Sequence, residues 1–182
     1  MLKWDGDAEL FGLARKELFT TVVGDVMDVL GLRRQFLPPQ VQPMRANMVV
    51  IGRAMPVLEA DVYGENLAHC ADADLRGKSG LLFAALDELR EGEVYVCTGA
   101  SPTYTLWGEL MSRRAIRLKA AGAVLNGYCR DVKGILACNF PTFAFGSYAQ
   151  DQAPRGKVID YRVAVEIGRV VISLQGSDTE LR

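Results

Sequence analysis

The sequence predicts a single α/β domain, and three observations support this fold class. A chain of 182 residues is long enough for one domain with a sizeable core. Apolar residues recur at helical spacing near the start, whereas later segments alternate between short apolar runs and amphipathic stretches. The sequence contains no internal repeat and no linker, so we expect one domain over residues 1–182.

Two helices are predicted first. Residues 7–19 carry apolar side chains at helical spacing, namely Leu10, Phe11, Ala14 and Leu18. Thr20 or Thr21 can cap a second helix, and Gly31 fits the position where that helix ends. An apolar run at residues 48–58 then predicts a mostly buried strand, with Gly52 and Pro56 marking a bend or an edge.

The remaining chain mixes helices and strands without a strict β-α-β alternation, so Rossmann and TIM-barrel folds are weak interpretations. We expect helices at residues 80–89 and 108–121, with Gly122 as the stop of the latter. Strands are expected at residues 92–99, 123–126, 142–145, 158–167 and 169–174.

A polar segment at residues 61–79 interrupts this pattern. Long loops inside compact domains are often functional, so Asp61, Glu65 and Asn66 are weak candidates for a neighbouring face of a site. His69 is the only histidine, and a lone histidine is more often a surface or packed residue than a base.

Composition excludes several classes of protein. A net charge of −1 gives no general attraction to nucleic acid or anionic membranes. No apolar run approaches the length of a membrane span, and the N-terminus does not resemble a signal peptide. The four cysteines lack Cys-x-x-Cys spacing, which indicates reduced thiols in a cytoplasmic protein rather than a zinc site or disulfide framework.

The predicted helix start at Gly108-Glu109 is a candidate anion site. Free backbone N–H groups and a partial positive charge at a helix N-terminus favour carboxylates and phosphates. Gly99 and Gly108 would let the backbone approach such an anion. Alternatively, Glu109 only complements the helix dipole, which is the commoner role of an acidic residue there.

Arg130 and Asp131 follow the next short strand, so they can lie at the same rim of the sheet as Glu109. The two carboxylates could hold Mg²⁺, and the guanidinium could bind a substrate carboxylate or carbonyl oxygen. Alternatively, Arg130-Asp131 is a surface turn in which Asp131 caps a helix at 132–136, and spacing by itself favours this second interpretation.

Three segments resemble one family closely. They are WGELM at 107–111, AAGAV at 120–124 and NGYCRDVKGI at 126–135, and the similarity extends from about residue 20 to 174. The family is that of 4-hydroxy-4-methyl-2-oxoglutarate aldolases, which also contains the regulator of ribonuclease activity A. Its aldolases carry an acidic residue, twenty intervening residues, then Arg-Asp; Glu109 and Arg130-Asp131 reproduce this spacing, with Glu where many members have Asp.

The resemblance implies a role for each site residue. Asp131 would ligate Mg²⁺ or Mn²⁺ directly, and Glu109 would act on the metal through water. Arg130 would bind the keto-acid oxygen. Backbone N–H groups of Leu110 and Met111, next to Gly108, would bind the substrate carboxylate.

The implied function is a metal-dependent aldolase that cleaves a 4-hydroxy-2-oxo diacid to pyruvate, with oxaloacetate decarboxylase as a companion activity. The implied fold is an α/β/β/α sandwich of the swivelling, phosphohistidine-domain-like kind, assembled as a homotrimer or hexamer with sites at subunit interfaces. Family members usually continue past the last strands with a Gly-Asp-rich segment, which some use to supply an acidic group to a neighbouring site. Residues 175–182 do not show that pattern.

Three alternatives to the metal-dependent aldolase remain: one is a different class of protein, and two are enzymes with a different chemistry. The first is a non-catalytic regulator that binds ribonuclease E or a helicase, although such members tend to lack the intact Arg-Asp pair. The second, a Schiff-base lyase, needs a desolvated lysine, and Lys119, Lys133 and Lys157 lie in polar segments. The third, a methyltransferase, lacks a strand–GxGxxG–helix unit.

Overall fold

The computed structural model describes residues 4–63 and 79–174. Glu65, Asn66, His69 and Cys70 from the polar segment, and the tail at 175–182, lie outside the described residues. The helices are α1 (Asp7–Glu17), α2 (Thr20–Val29), α3 (Leu82–Asp87), α4 (Glu109–Arg117) and α5 (Val132–Ala137). The strands are β1 (Gln42–Pro43), β2 (Arg53–Asp61), β3 (Glu93–Thr98), β4 (Thr105–Trp107), β5 (Gly122–Leu125), β6 (Tyr128–Cys129), β7 (Thr142–Ala144), β8 (Gly156–Tyr161), β9 (Val165–Ile167) and β10 (Val170–Ile172).

A six-stranded sheet in the order β1-β7-β5-β3-β2-β8 forms the centre of the fold. The four inner strands are parallel, and β1 and β8 pair antiparallel at the two edges. Every residue of β3 is buried, as expected for a central strand that is covered on both faces. The mixed α/β single-domain prediction is therefore confirmed.

Two small sheets complete the described strands. The hairpin of β9 and β10 is antiparallel, and β4 and β6 form a parallel pair outside the main sheet. The predicted strand at 158–167 is in fact two strands in different sheets. Arg162, at φ 58°, breaks it, because the left-handed region ends extended pairing.

Several predicted boundaries were wrong. The strand expected at 48–58 begins only at Arg53 and continues to Asp61. The helix expected to reach residue 121 ends at Arg117, and Lys119 rather than glycine adopts the left-handed conformation after it. Gly122 belongs to β5, where a Cβ atom would lie 2.7 Å from the Pro141 carbonyl oxygen, so it is needed for close packing and not as a stop.

An aromatic stack in the core supports the segment that leads into α4. Trp107 packs against Tyr95 and Phe140, with ring centroids 4.8 and 5.9 Å apart. Its indole Nε1 donates to Ser112 Oγ at 2.7 Å, and that hydroxyl in turn donates to the Gly108 carbonyl. These contacts hold the start of α4 against the buried core.

Within residues 4–63 and 79–174, no helix combines the length and apolar character that crossing a bilayer requires.

Candidate functional site

The turn between β4 and α4 exposes a helix N-terminus. Gly108 is the N-cap residue, with extended backbone (φ −157°, ψ −177°) and no side-chain cap hydrogen bond. The first helical bond of this turn runs from the Ser112 amide to the Gly108 carbonyl at 3.1 Å. The amides of the first turn, including those of Leu110 and Met111, are therefore available to an anion.

The pairing of β4 with β6 brings Arg130-Asp131 to this helix start. The Arg130 amide donates to the Trp107 carbonyl at 2.9 Å, which extends the parallel pair by one residue. A Cβ atom on Gly108 would lie 3.0 Å from Asp131 Oδ2, so the bare glycine leaves room for that carboxylate. The structure thus confirms that the two segments meet at one rim.

Asp131 stands at the N-cap position of α5 but does not cap it with its side chain. Its backbone is left-handed (φ 55°, ψ 34°), an uncommon conformation for a residue other than glycine. The Asp131 carbonyl accepts the amides of Gly134 and Ile135, while no side-chain cap hydrogen bond forms. The capping-turn alternative therefore does not explain the carboxylate, which remains available to a ligand.

Arg130 lies between two carboxylates. Its Nε atom is 3.7 Å from Asp131 Oδ2, and its Nη1 atom is 3.3 Å from Asp151 Oδ1. The side chain of Arg130 is 40% exposed, that of Asp131 48% and that of Asp151 52%. All three are therefore hydrated and can exchange water for a ligand.

Asp151 was missed by the sequence analysis. It lies in no recognised motif and follows a segment without helical or strand periodicity. Its position is set by tertiary contacts, since the Gln150 carbonyl accepts both the amide and the hydroxyl of Thr105 at 2.9 Å. No local signal in the sequence marks this residue.

These groups line one cavity of about 240 Å³. Its walls come from α3, β4, the start of α4, the Arg130-Asp131 turn and the 151–153 segment, and its lining includes Gly108, Leu110, Met111, Arg130 and Asp131. The structure thereby brings together five of the six predicted site residues.

Glu109, the sixth, does not line this cavity. Its Oε1 atom accepts a hydrogen bond from Arg113 Nε at 2.7 Å, and the other carboxylate oxygen packs against Gly134 of α5. The action of Glu109 through water therefore remains a prediction.

Behind the cavity lies a buried acid that the sequence analysis also missed. Glu59 is 1% exposed; its Oε1 atom accepts from Gln152 Nε2 at 2.8 Å, and the Cys97 thiol lies 3.6 Å from Oε2. Burial raises the pKa of Glu59 to about 7, and hydrogen bonds from Gln152, Cys97 and Tyr104 oppose that rise. Because Gln152 lines the cavity, Glu59 contacts the site through one side chain.

The donor set suits one type of metal ion. In the part of the chain that the structure describes, no group of three or more His, Cys, Asp or Glu side chains is placed to hold a metal. A closed zinc site is thus not supported among those residues. Mg²⁺ and Mn²⁺ prefer oxygen ligands, and Mg²⁺ is commonly held by one or two carboxylates together with water and substrate. The hydrated carboxylate of Asp131 fits that pattern.

Comparisons with known proteins assign the chain to a family. The sequence pattern of the RraA-like family, described as Aldolase/RraA, matches residues 20–175. Protein DlpA of Legionella pneumophila is 26% identical over 129 residues, which cover 69% of this chain and 19% of that protein. The chain thus spans about a fifth of the length of this relative.

Two solved structures share the fold. One, described among novel cellulases from gut-associated microbes, has 26% identity and a TM-score of 0.78, covering 95% of this chain and 74% of the other. The second is Streptomyces coelicolor RraAS2, described as an unusual member of the RNase ES inhibitor RraA family. It has 22% identity and a TM-score of 0.74, covering 93% and 80% of the respective chains.

Proposed function

Because the chain belongs to the RraA-like family, we propose that it is a lyase dependent on a divalent metal, which cleaves a 4-hydroxy-2-oxo acid to pyruvate. The family includes both aldolases and ribonuclease inhibitors. The observation that supports catalysis here is the meeting of Arg130, Asp131 and an uncapped helix N-terminus in one cavity. Loss of CO₂ from oxaloacetate yields the same pyruvate enolate, so decarboxylase activity belongs to the proposal.

Asp131 is the proposed direct ligand of Mg²⁺ or Mn²⁺, and Glu109 the proposed ligand through water. Bound there, the cation would act as a Lewis acid on the 2-oxo group. The left-handed backbone of Asp131 and the missing side chain of Gly108 hold the carboxylate at the cavity with room beside it.

The chain's own groups would orient the substrate. The amides of Leu110 and Met111 bind its carboxylate at the positive end of α4. The Arg130 guanidinium donates to the 2-oxo oxygen, where negative charge develops as the bond breaks. A donor that binds this oxygen more strongly in the transition state than in the ground state accelerates the step.

Cleavage also requires an acceptor for one proton. We assign this role to Asp151, because its carboxylate lines the cavity and Asp131 is reserved for the cation. The C4 hydroxyl proton passes to Asp151, the C3–C4 bond breaks, and its electron pair forms the pyruvate enolate while C4 becomes a carbonyl. Asp151 then returns the proton to C3, so the residue ends in its starting state.

Pyruvate release with and without EDTA tests the proposal. We expect chelation to abolish activity and added Mg²⁺ or Mn²⁺ to restore it. Arg130→Ala should lower kcat/KM by about 10²–10³-fold, the usual loss for a donor to a developing oxyanion. Arg117→Ala is the matched control, because Arg117 is exposed on α4 away from the cavity.

Activity that survives complete chelation would remove the metal from the mechanism. A chain that releases no pyruvate from any hydroxy-oxo acid but captures ribonuclease E or a helicase would instead be a regulator. The sandwich layering, a homotrimer or hexamer with sites at subunit interfaces, and a cytoplasmic location complete the proposal, and they are supported by membership of the family.

A further inference from the structure

We propose that Glu59 and Gln152 form a positioning pair, which holds the assigned proton acceptor Asp151 at the cavity through the peptide chain. This role rests on the proposed lyase function and deepens it, because it extends the machinery beyond the reacting groups. Three features of the structure lead to it: the bond between the two side chains, the contacts on both sides of Asp151, and the exposure of Asp151 itself.

The bond within the positioning pair ties the 151–153 segment to β2 of the central sheet. Gln152 Nε2 donates to Glu59 Oε1 at 2.8 Å, although the two residues are 93 positions apart in the chain. Gln152 is 7% exposed and Glu59 is 1% exposed, so water is excluded from the bond. A hydrogen bond in such surroundings is electrostatically stronger than in water. It therefore holds a distant segment firmly against the sheet.

The two neighbours of Asp151 are both fixed by hydrogen bonds. The Gln150 carbonyl accepts the amide and the hydroxyl of Thr105, both at 2.9 Å. The Gln152 carbonyl accepts the amides of residues 155 and 156, at 2.6 and 2.9 Å, while its side chain belongs to the positioning pair. A residue between two fixed neighbours has little backbone freedom left. Loss of the positioning pair would release the segment on one side.

The position of Asp151 needs this support because its own side chain provides little. Its Oδ1 atom lies 3.3 Å from Arg130 Nη1, and its side chain is 52% exposed. Exposed ion pairs contribute little energy to hold their own geometry. A general base must nevertheless lie within hydrogen-bond reach of the proton that it takes. The buried positioning pair supplies the order that the exposed pair with Arg130 does not.

The same buried cluster offers a control contact that does not lead to the site. The Cys97 thiol lies 3.6 Å from Glu59 Oε2, whereas Gln152 bonds the other oxygen, Oε1. Cys97 is fully buried, and the described residues that line the cavity include Gln152 but not Cys97. Changes at Cys97 and at Gln152 therefore disturb one acid through different oxygens, and only the second change reaches Asp151.

Steady-state pyruvate release by the Mg²⁺-loaded chain tests the positioning role. Glu59→Met removes the acceptor at similar length, and kcat should fall about tenfold with little change in KM, since misplacing a reacting group by about 1 Å can cost up to about 10²-fold. Glu59→Gln keeps a carbonyl oxygen for Gln152 and should retain the parent kcat. Cys97→Ala should also retain it. An equal loss in Cys97→Ala would attribute the effect to general damage of the cluster and refute the inference.

Exchanging the two side chains gives a readout in pH. Gln152→Glu places a second carboxyl group beside Glu59, and the two can share a proton at low pH but repel each other once both ionise. The kcat of this variant should therefore fall, relative to the parent, as the pH rises. Adding Glu59→Gln restores a donor to the pair and should recover the parent profile. A single variant with the parent's pH profile would count against the positioning pair.

A double-mutant cycle shows whether the effect passes through Asp151. In the Asp151→Asn background, where no proton acceptor remains to be positioned, Glu59→Met should cause no further loss of kcat. A further loss of about tenfold would mean that Glu59 acts by another route, and the inference would be wrong.

Hydrogen exchange separates this inference from the proposed function, because it needs no turnover. In Glu59→Met, the amides of residues 155 and 156 should exchange at least about tenfold faster, while those of β3 keep their protection. Faster exchange in a chain that releases no pyruvate would refute the lyase and leave the positioning pair supported. Unchanged exchange at both amides would refute the positioning pair and leave the lyase standing.

Discussion

Two groups of acidic side chains meet at residues 151 and 152, and they differ in almost every physical respect. The open group, Asp131 and Asp151 around Arg130, is about half exposed and paired at 3.3–3.7 Å. The buried group centres on Glu59, which is 1% exposed and bonded to Gln152. Asp151 belongs to the first group and Gln152 to the second.

The difference in exposure favours different roles for the two groups. Exposed charges cost little to maintain in water and can exchange hydration for a cation or an anion. A buried carboxyl group costs stability whenever it ionises, so it suits a contact that holds its neighbours in place. We infer that Glu59 positions Gln152, and through the peptide chain Asp151, while the open group contacts the substrate.

The largest effect expected from this comparison is on stability as a function of pH. The pKa of Glu59 is raised by burial from 4.5 to about 7. The folded state therefore holds a proton that the unfolded state has lost, so stability falls as the pH rises from about 4.5 to 7 and is level above that. The Glu59 contribution amounts to roughly 3 kcal/mol, and it can be measured by urea unfolding across this range.

Glu59→Gln is the matched variant, because it keeps the shape of the side chain and cannot ionise. It should unfold like the parent near pH 5 and be more stable than the parent at pH 8. The assignment of a neutral, buried Glu59 would be contradicted by parallel pH profiles of the two proteins.

A smaller effect is expected at the junction of the two groups. Asp151→Asn removes the proposed proton acceptor but keeps the size of the side chain, and we expect kcat to fall by about 10²-fold, within the range for a positioned acid or base. KM should change little, since substrate binding is assigned to Arg130 and the α4 amides. A change in KM alone would show that Asp151 binds substrate and does not transfer the proton.

The sequence predicted those elements whose signal is local. The buried run of β3 and the helix start after Gly108 both carry their pattern within a few residues, and both are found as expected. The predicted end of α4 was wrong because Lys119 adopts the left-handed conformation that glycine usually occupies at a helix end. The division of residues 158–167 depends on which sheet each half joins, and that choice is tertiary.

The same distinction applies to the site. Arg130 and Asp131 follow one strand directly, so their place at the rim was predictable once β4 and β6 were adjacent. Asp151 is held at the cavity because the carbonyl of its neighbour Gln150 accepts from Thr105, and the Glu59 carboxyl is buried against Cys97 and Gln152. Neither contact leaves a periodic trace in the sequence, so pattern analysis could not identify these two acids.

Asp131 is the proposed ligand of a divalent cation in the cavity, and Mn²⁺ binding followed by electron paramagnetic resonance tests this role most directly. We expect Mn²⁺ to bind the parent chain and Asp131→Asn to weaken that binding by at least about 100-fold, since even outer partners of metal ligands contribute 10–100-fold. Asp25→Asn, an exposed position on α2, should bind like the parent. Equal Mn²⁺ affinity in the parent and in Asp131→Asn would contradict the account.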